Sequence, residues 1–159
     1  MEPFWQSSFG LAVLSCFLWA LVSAVLPCVN AEVLVVSLPA IAGSRGELAT
    51  LLVVATMGQM AGKCIVYYVA RRGAMVSSGR ISHAVQRWRA RALASPHRLV
   101  TLVLASSLVG IPPFFVMSAV AGALKVKLGS FLVAGTCGRL VRFTALALAS
   151  KTILQLFGY

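Results

Sequence analysis

Apolar positions along this chain come in long unbroken runs rather than in alternation. Four runs, Phe9–Leu26, Val33–Ala42, Leu48–Ala70 and Leu99–Leu124, are set off by short polar or basic stretches. A fifth, Leu128–Phe157, is interrupted by Arg139, Arg142 and Lys151. A membrane-crossing helix needs roughly 20 apolar residues. Leu48–Ala70 and Leu128–Phe157 predict two crossings, whereas Val33–Ala42 is too short to cross. Leu99–Leu124 has the length, but Gly110-Ile111-Pro112-Pro113 sits at its middle. Proline lacks the amide hydrogen and clashes with the preceding turn, so a tandem pair predicts a break.

The charge pattern suggests what the break does. The segment between the third and fourth runs carries Arg71, Arg72, Arg80, Arg87, Arg89, Arg91 and Arg98, which by the positive-inside rule makes residues 71–98 cytoplasmic. If Leu99–Leu124 crossed the membrane, Lys125 and Lys127 would emerge on the opposite side. If it enters and returns, they rejoin the arginines. Gly110, Pro112 and Pro113 would then form the tip of a re-entrant hairpin whose arms of about 12 and 10 residues reach roughly half the hydrocarbon thickness. Leu26–Glu32, with Pro27 and Asn30, predicts the tip of a first such hairpin. Irregular backbone at that depth is tolerated only inside protein or beside a watery cavity.

The two halves match in order. "PAIAGS" (Pro39–Ser44) pairs with "SAVAGA" (Ser118–Ala123) at an offset of 79, and "LATLLVVATMG" (Leu48–Gly58) with "LGSFLVAGTCG" (Leu128–Gly138) at an offset of 80. Five of those eleven positions are identical, including Thr56/Thr136 and Gly58/Gly138. One crossing separates the hairpins, so they would enter from opposite faces. The expected fold is an all-α integral membrane protein of a single domain. It is an inverted repeat of two re-entrant hairpins, each followed by a transmembrane helix. The parts are an N-terminal helix and first hairpin over 9–43, a transmembrane helix over 48–70, a basic amphipathic helix over 77–98, a second hairpin over 99–124 and a C-terminal transmembrane helix over 128–157. Inverted repeats of broken helices characterise transporters, with the site near the midplane.

Composition agrees with this picture. The chain is 60% hydrophobic with a mean hydropathy of +0.94, against about 45–50% apolar for soluble domains. Its net charge is +11, with Glu2, Glu32 and Glu47 as the only acids. Membrane topology accounts for the basic connector, so a nucleic-acid partner is not expected. Within that connector, Ile81, Val85, Trp88 and Ala92 share a helical stripe beside Arg80, Arg87 and Arg91. This predicts a helix lying in the headgroup layer, with Arg80, Arg87, Trp88 and Arg91 touching the lipid surface. The N-terminus "MEPFWQSSFG" has no basic n-region, so the first run is expected to be retained rather than cleaved. Cys16, Cys28, Cys64 and Cys137 form no CxxC pair and have no His at metal spacing. They are expected to be buried apolar residues. His83 and His97 fall in the connector and are expected at the surface. No nucleophile–base motif supports catalysis, and no metal or cofactor is expected.

The ordered motifs resemble the DedA family, also called VTT or SNARE-associated membrane proteins. They are "PCVNAE" (Pro27–Glu32), "AIAG" (Ala40–Gly43), "GQMAG" (Gly58–Gly62), "YYVARRG" (Tyr67–Gly73), "GIPPFFVMSAVAG" (Gly110–Gly122) and "GRLVRF" (Gly138–Phe143). The resemblance covers about Leu26 to Ala149. It departs at Ser106, Ser107, Phe114 and Phe115, where many members carry arginines, and at Lys63, where an acid is common. The chain therefore resembles a short divergent branch. The resemblance implies movement of lipids, including polyprenyl phosphates and phospholipids, across a bilayer, in a bacterial inner membrane.

Charged residues inside the apolar runs are the candidate site. Arg139 and Arg142, at i and i+3, share one face near the middle of their helix. Each costs about 2.5–3.5 kcal/mol at a helix centre. Lys63 and Gln59 fall near the matching depth of the first repeat, and Glu32 lies at a hairpin tip. Glu32 would either pair with Arg139 or Arg142 to hold the fold, or carry a proton, while Lys63, Arg139 and Arg142 receive an anionic lipid headgroup. Three cations against one acid favour a phosphate over a cation. The expected function is a flippase or scramblase. A proton-coupled transporter of a small soluble anion and a non-transporting membrane scaffold are the alternatives. So short a chain encloses a lipid path more readily as a homodimer.

Overall fold

A computed structural model describes residues 4–26, 29–73, 83, 86 and 96–156. Among them the chain is all helical. The helices are α1 (Phe4–Val25), α2 (Ala31–Ile41), α3 (Arg45–Arg71), α4 (Pro96–Val109), α5 (Phe114–Ala123) and α6 (Leu128–Leu156). The connector helix expected over 77–98, with Arg80, Arg87, Trp88 and Arg91, lies almost wholly outside the described residues, as does Pro27.

Local chemistry sets the helix boundaries. Asn30 caps α2, its side chain accepting from the Glu32 N–H at 2.9 Å. Ser44 caps α3 by accepting from the Glu47 N–H at 3.2 Å, and Glu47 accepts in return from the Gly43 N–H at 2.8 Å. These bonds satisfy amides that a helix start leaves free. α4 stops at Gly110, whose φ of +85° is left-handed and costs glycine little. Ser106 Oγ then donates to the Pro112 carbonyl at 2.5 Å, tying the turn back onto α4. The long apolar run is thus broken at Gly110–Pro113, and α5 restarts at Phe114.

Among the described residues two helices are long and apolar enough to cross a membrane, Arg45–Arg71 and Leu128–Ile153. Around them, α1 packs mainly on α3 and α4 on α6, while α5 packs on α3 and α2 on α6. The α1–α3 contact is close because small residues meet. Ala20 and Ala24, both fully buried, face Gly58 and Gly62, and a Cβ at Gly58 would fall 2.6 Å from the Phe17 carbonyl. Small residues four apart let helices pack backbone to backbone. Gly138 plays the same part against Ser107 and Leu104 of α4.

The apolar core has two main clusters. One joins Cys16, Val35, Leu38, Leu51 and Ala55 to Phe143 and Ala147. The other joins Met60, Tyr67, Val103, Phe114 and Met117 to Phe131 and Ala134. The start of α3 therefore meets the end of α6, and the end of α3 meets the start of α6, so the two long helices run antiparallel. Gln59 and Lys63 on α3, and Arg139 on α6, fall where one cluster gives way to the other. The expectation of buried cysteines is corrected at Cys137, which is exposed because it lies on the outer face of α6, while Cys64 is half-buried, Cys16 is buried and Cys28 lies outside the described residues.

Candidate anion-binding cavity

A cavity of about 650 Å³ opens at the changeover between the two clusters. Glu32, Lys63, Arg139 and Arg142 all line it, as do Asn30, Gly110 and Pro113 from the two interhelical turns. Helix packing brings together residues as far apart as 32 and 142, because α2 lies on α6 and α5 on α3. The N-termini of α2 and α5 both reach the wall, through Ala31 and Phe114. Unpaired amide hydrogens at such termini carry partial positive charge.

Each charged side chain is held differently. Arg142 donates through Nε to Glu32 Oε1 at 3.0 Å, and its Nη2 also bonds that oxygen. Its Nη1 donates to the Leu108 carbonyl at 2.9 Å. The guanidinium lies against Gly110, where a Cβ would stand 3.1 Å from Nη1. Of the two ion pairs open to Glu32 in the sequence, the one formed is with Arg142.

Lys63 is 4% exposed and donates to the Ala24 carbonyl at 2.6 Å, with its ammonium 5.2 Å from the centre of the Phe115 ring. Arg139 sits over the Phe114 ring at 4.9 Å and near Phe143 at 5.8 Å. Its Nε is buried and has no hydrogen-bond partner. Among the described residues no carboxylate pairs with Arg139. Aromatic faces attract a cation but supply no acceptor, so its donors remain available to an anion.

The site also holds residues that the charge pattern did not single out. Phe114 and Phe115, placed after the proline turn, supply the faces on which Arg139 and Lys63 rest. Ser23 enters from α1, accepting from Gln59 Nε2 at 2.7 Å. Ser23 falls inside an apolar run that shows no sign of a site, and only packing against α3 gives it a role. Val109 and Ile111 form part of the lining and are 63% and 79% exposed, so the cavity has an apolar lip. Among the described residues no cluster of His, Cys, Asp or Glu could hold a metal ion.

The chain matches no family model, no curated protein and no solved structure.

Proposed function

We propose that the protein is a membrane lipid transporter of the flippase or scramblase type, receiving an anionic, phosphate-bearing headgroup in this cavity. The observation that carries the reading is the convergence of Lys63, Arg139 and Arg142 with two helix N-termini around a space whose single acid, Glu32, is already paired with Arg142. Surplus positive charge at a partly buried site attracts an anion more strongly than the same charge in water. A volume of about 650 Å³ is ample for a phosphate headgroup, since ligand sites run from about 300 to 1,000 Å³. The apolar lip at Val109 and Ile111 favours a headgroup with acyl chains attached over a free soluble anion.

The membrane setting is supported by the two long apolar helices and by large apolar side chains on their outer faces, such as Met57, Ile65, Val133 and Leu148. In this reading, α1–α2 and α4–α5 are re-entrant hairpins of an inverted repeat. Three features support that arrangement. Each first arm packs on the long helix of its own half, and each second arm on the long helix of the other half. Val35/Phe114, Leu38/Met117 and Leu51/Phe131, at offsets of 79, 79 and 80, hold matching places in the two cores. Gly58 and Gly138 each admit the first arm of their own half. The same features fit membership of the DedA family, and we adopt that assignment as part of the proposal.

The test is reconstitution into vesicles carrying an acyl-labelled anionic phospholipid. Wild-type protein should move the label between leaflets, and the Arg139→Gln, Arg142→Gln double variant, folded and inserted, should not. Full movement by that variant would remove the headgroup-binding role.

A further inference from the structure

Gln59, 2% exposed, lies in the cavity wall with an atom that an anion cannot satisfy. Its Nε2 donates to Ser23 Oγ. The Ser23 hydroxyl has a single hydrogen, and it goes to the Ala20 carbonyl at 2.8 Å. Ser23 therefore acts as acceptor toward Gln59, which fixes the amide with its nitrogen toward Ser23. The carbonyl oxygen, Oε1, is left buried and without a partner. The cation one turn further along α3, Lys63, already donates to Ala24.

Two buried side-chain atoms lack partners among the described residues, and they are of opposite sense. Arg139 Nε can only donate, and Gln59 Oε1 can only accept. They stand at matching positions of the two halves, 80 residues apart. A buried polar group left unpaired is destabilising, so each is a place where a ligand gains. A phosphate oxygen satisfies Arg139 but repels the Gln59 carbonyl. A donor-free anion would therefore leave Gln59 unmet.

We infer that the ligand of this cavity is an anion that also carries a hydrogen-bond donor, a hydroxyl or an ammonium, next to its phosphate, and that Gln59 selects for that donor. This rests on the transport reading above. A site built to bond a donor discriminates strongly against an analogue that lacks it, because its acceptor is then stranded.

The experiment uses the full chain in vesicles and two acyl-labelled lipids of equal charge. Phosphatidylglycerol ends in hydroxyls, and phosphatidylmethanol has no donor. Wild-type protein should move phosphatidylglycerol at least about tenfold faster. Gln59→Leu should bring the two rates together by slowing phosphatidylglycerol, and an unfolding midpoint close to that of the wild type reports that it is folded. Ser23→Ala, which frees the amide to turn, should reduce the preference without changing the size of Gln59. In a parallel arm, uptake of glycerol 1-phosphate and of methyl phosphate is compared. A preference for glycerol 1-phosphate without lipid movement keeps the donor requirement and transfers it to a soluble anion. Equal rates for both lipids in the wild type, or an unchanged preference in Gln59→Leu, overturns the role of Gln59 and leaves transport standing. Movement of neither lipids nor soluble anions overturns both.

Discussion

Arg142 donates from Nε to Glu32 Oε1 at 3.0 Å, joining the middle of α6 to the first turn of α2 across 110 residues of chain. The same guanidinium reaches the Leu108 carbonyl at the end of α4. One side chain thus ties together both interhelical turns. It rests against Gly110, the residue that lets α4 stop there.

Glu32→Gln should lower stability by about 1–2 kcal/mol, less than a fully buried pair would lose, because both side chains keep some exposure. The double change Glu32→Gln, Arg142→Gln should recover much of that loss, since no lone charge remains. Thermal unfolding in a lipid-like detergent measures the cycle. Additive losses would mean the two residues act independently.

Arg139→Gln should behave differently. Among the described residues no carboxylate forms an ion pair with Arg139, so the unfolding midpoint should stay unchanged or rise as a buried charge is removed. Lipid movement should fall by about tenfold to a hundredfold, the worth of a hydrogen bond to a charged group. A parallel loss of stability and transport would assign Arg139 to the scaffold.

Topology is open to direct labelling. If α4 and α5 form a re-entrant hairpin, Thr101→Cys and Lys125→Cys should react from the same side of a sealed vesicle. Labelling from opposite sides would make the pair a kinked crossing.

Helix contacts make a prediction about packing. A Cβ at Gly122 would overlap the backbone carbonyl of Tyr67, which cannot move aside as a side chain can. Tyr67 is held there by donating to the Val126 carbonyl at 2.5 Å and by stacking on Phe131. Gly122→Ala should cost about 1–3 kcal/mol, as overpacked cores do. Gly129→Ala, with open space around the added methyl, should be nearly neutral. Comparing their unfolding midpoints separates a packing requirement from a general intolerance of alanine.

Much of the fold is written in local sequence. The lengths of the apolar runs set the helices, and Gly110-Ile111-Pro112-Pro113 sets the break, because backbone geometry and amide bonding act over a few residues. The Ser44–Glu47 cap acts over the same short range. Candidate charges were legible too, since an arginine in an apolar run is conspicuous by its cost. What the sequence left open is what long-range packing decides. Nothing local distinguishes Arg139 from Arg142 as the partner of Glu32. That choice depends on α2 lying against α6, which places Arg142 on the carboxylate and Arg139 on the Phe114 ring. Ser23 and Gln59 became a fixed pair only when Gly58 and Gly62 let α1 approach α3 closely. Burial, pairing and the orphaned carbonyl of Gln59 are properties of helices meeting, and one-dimensional hydropathy does not contain them.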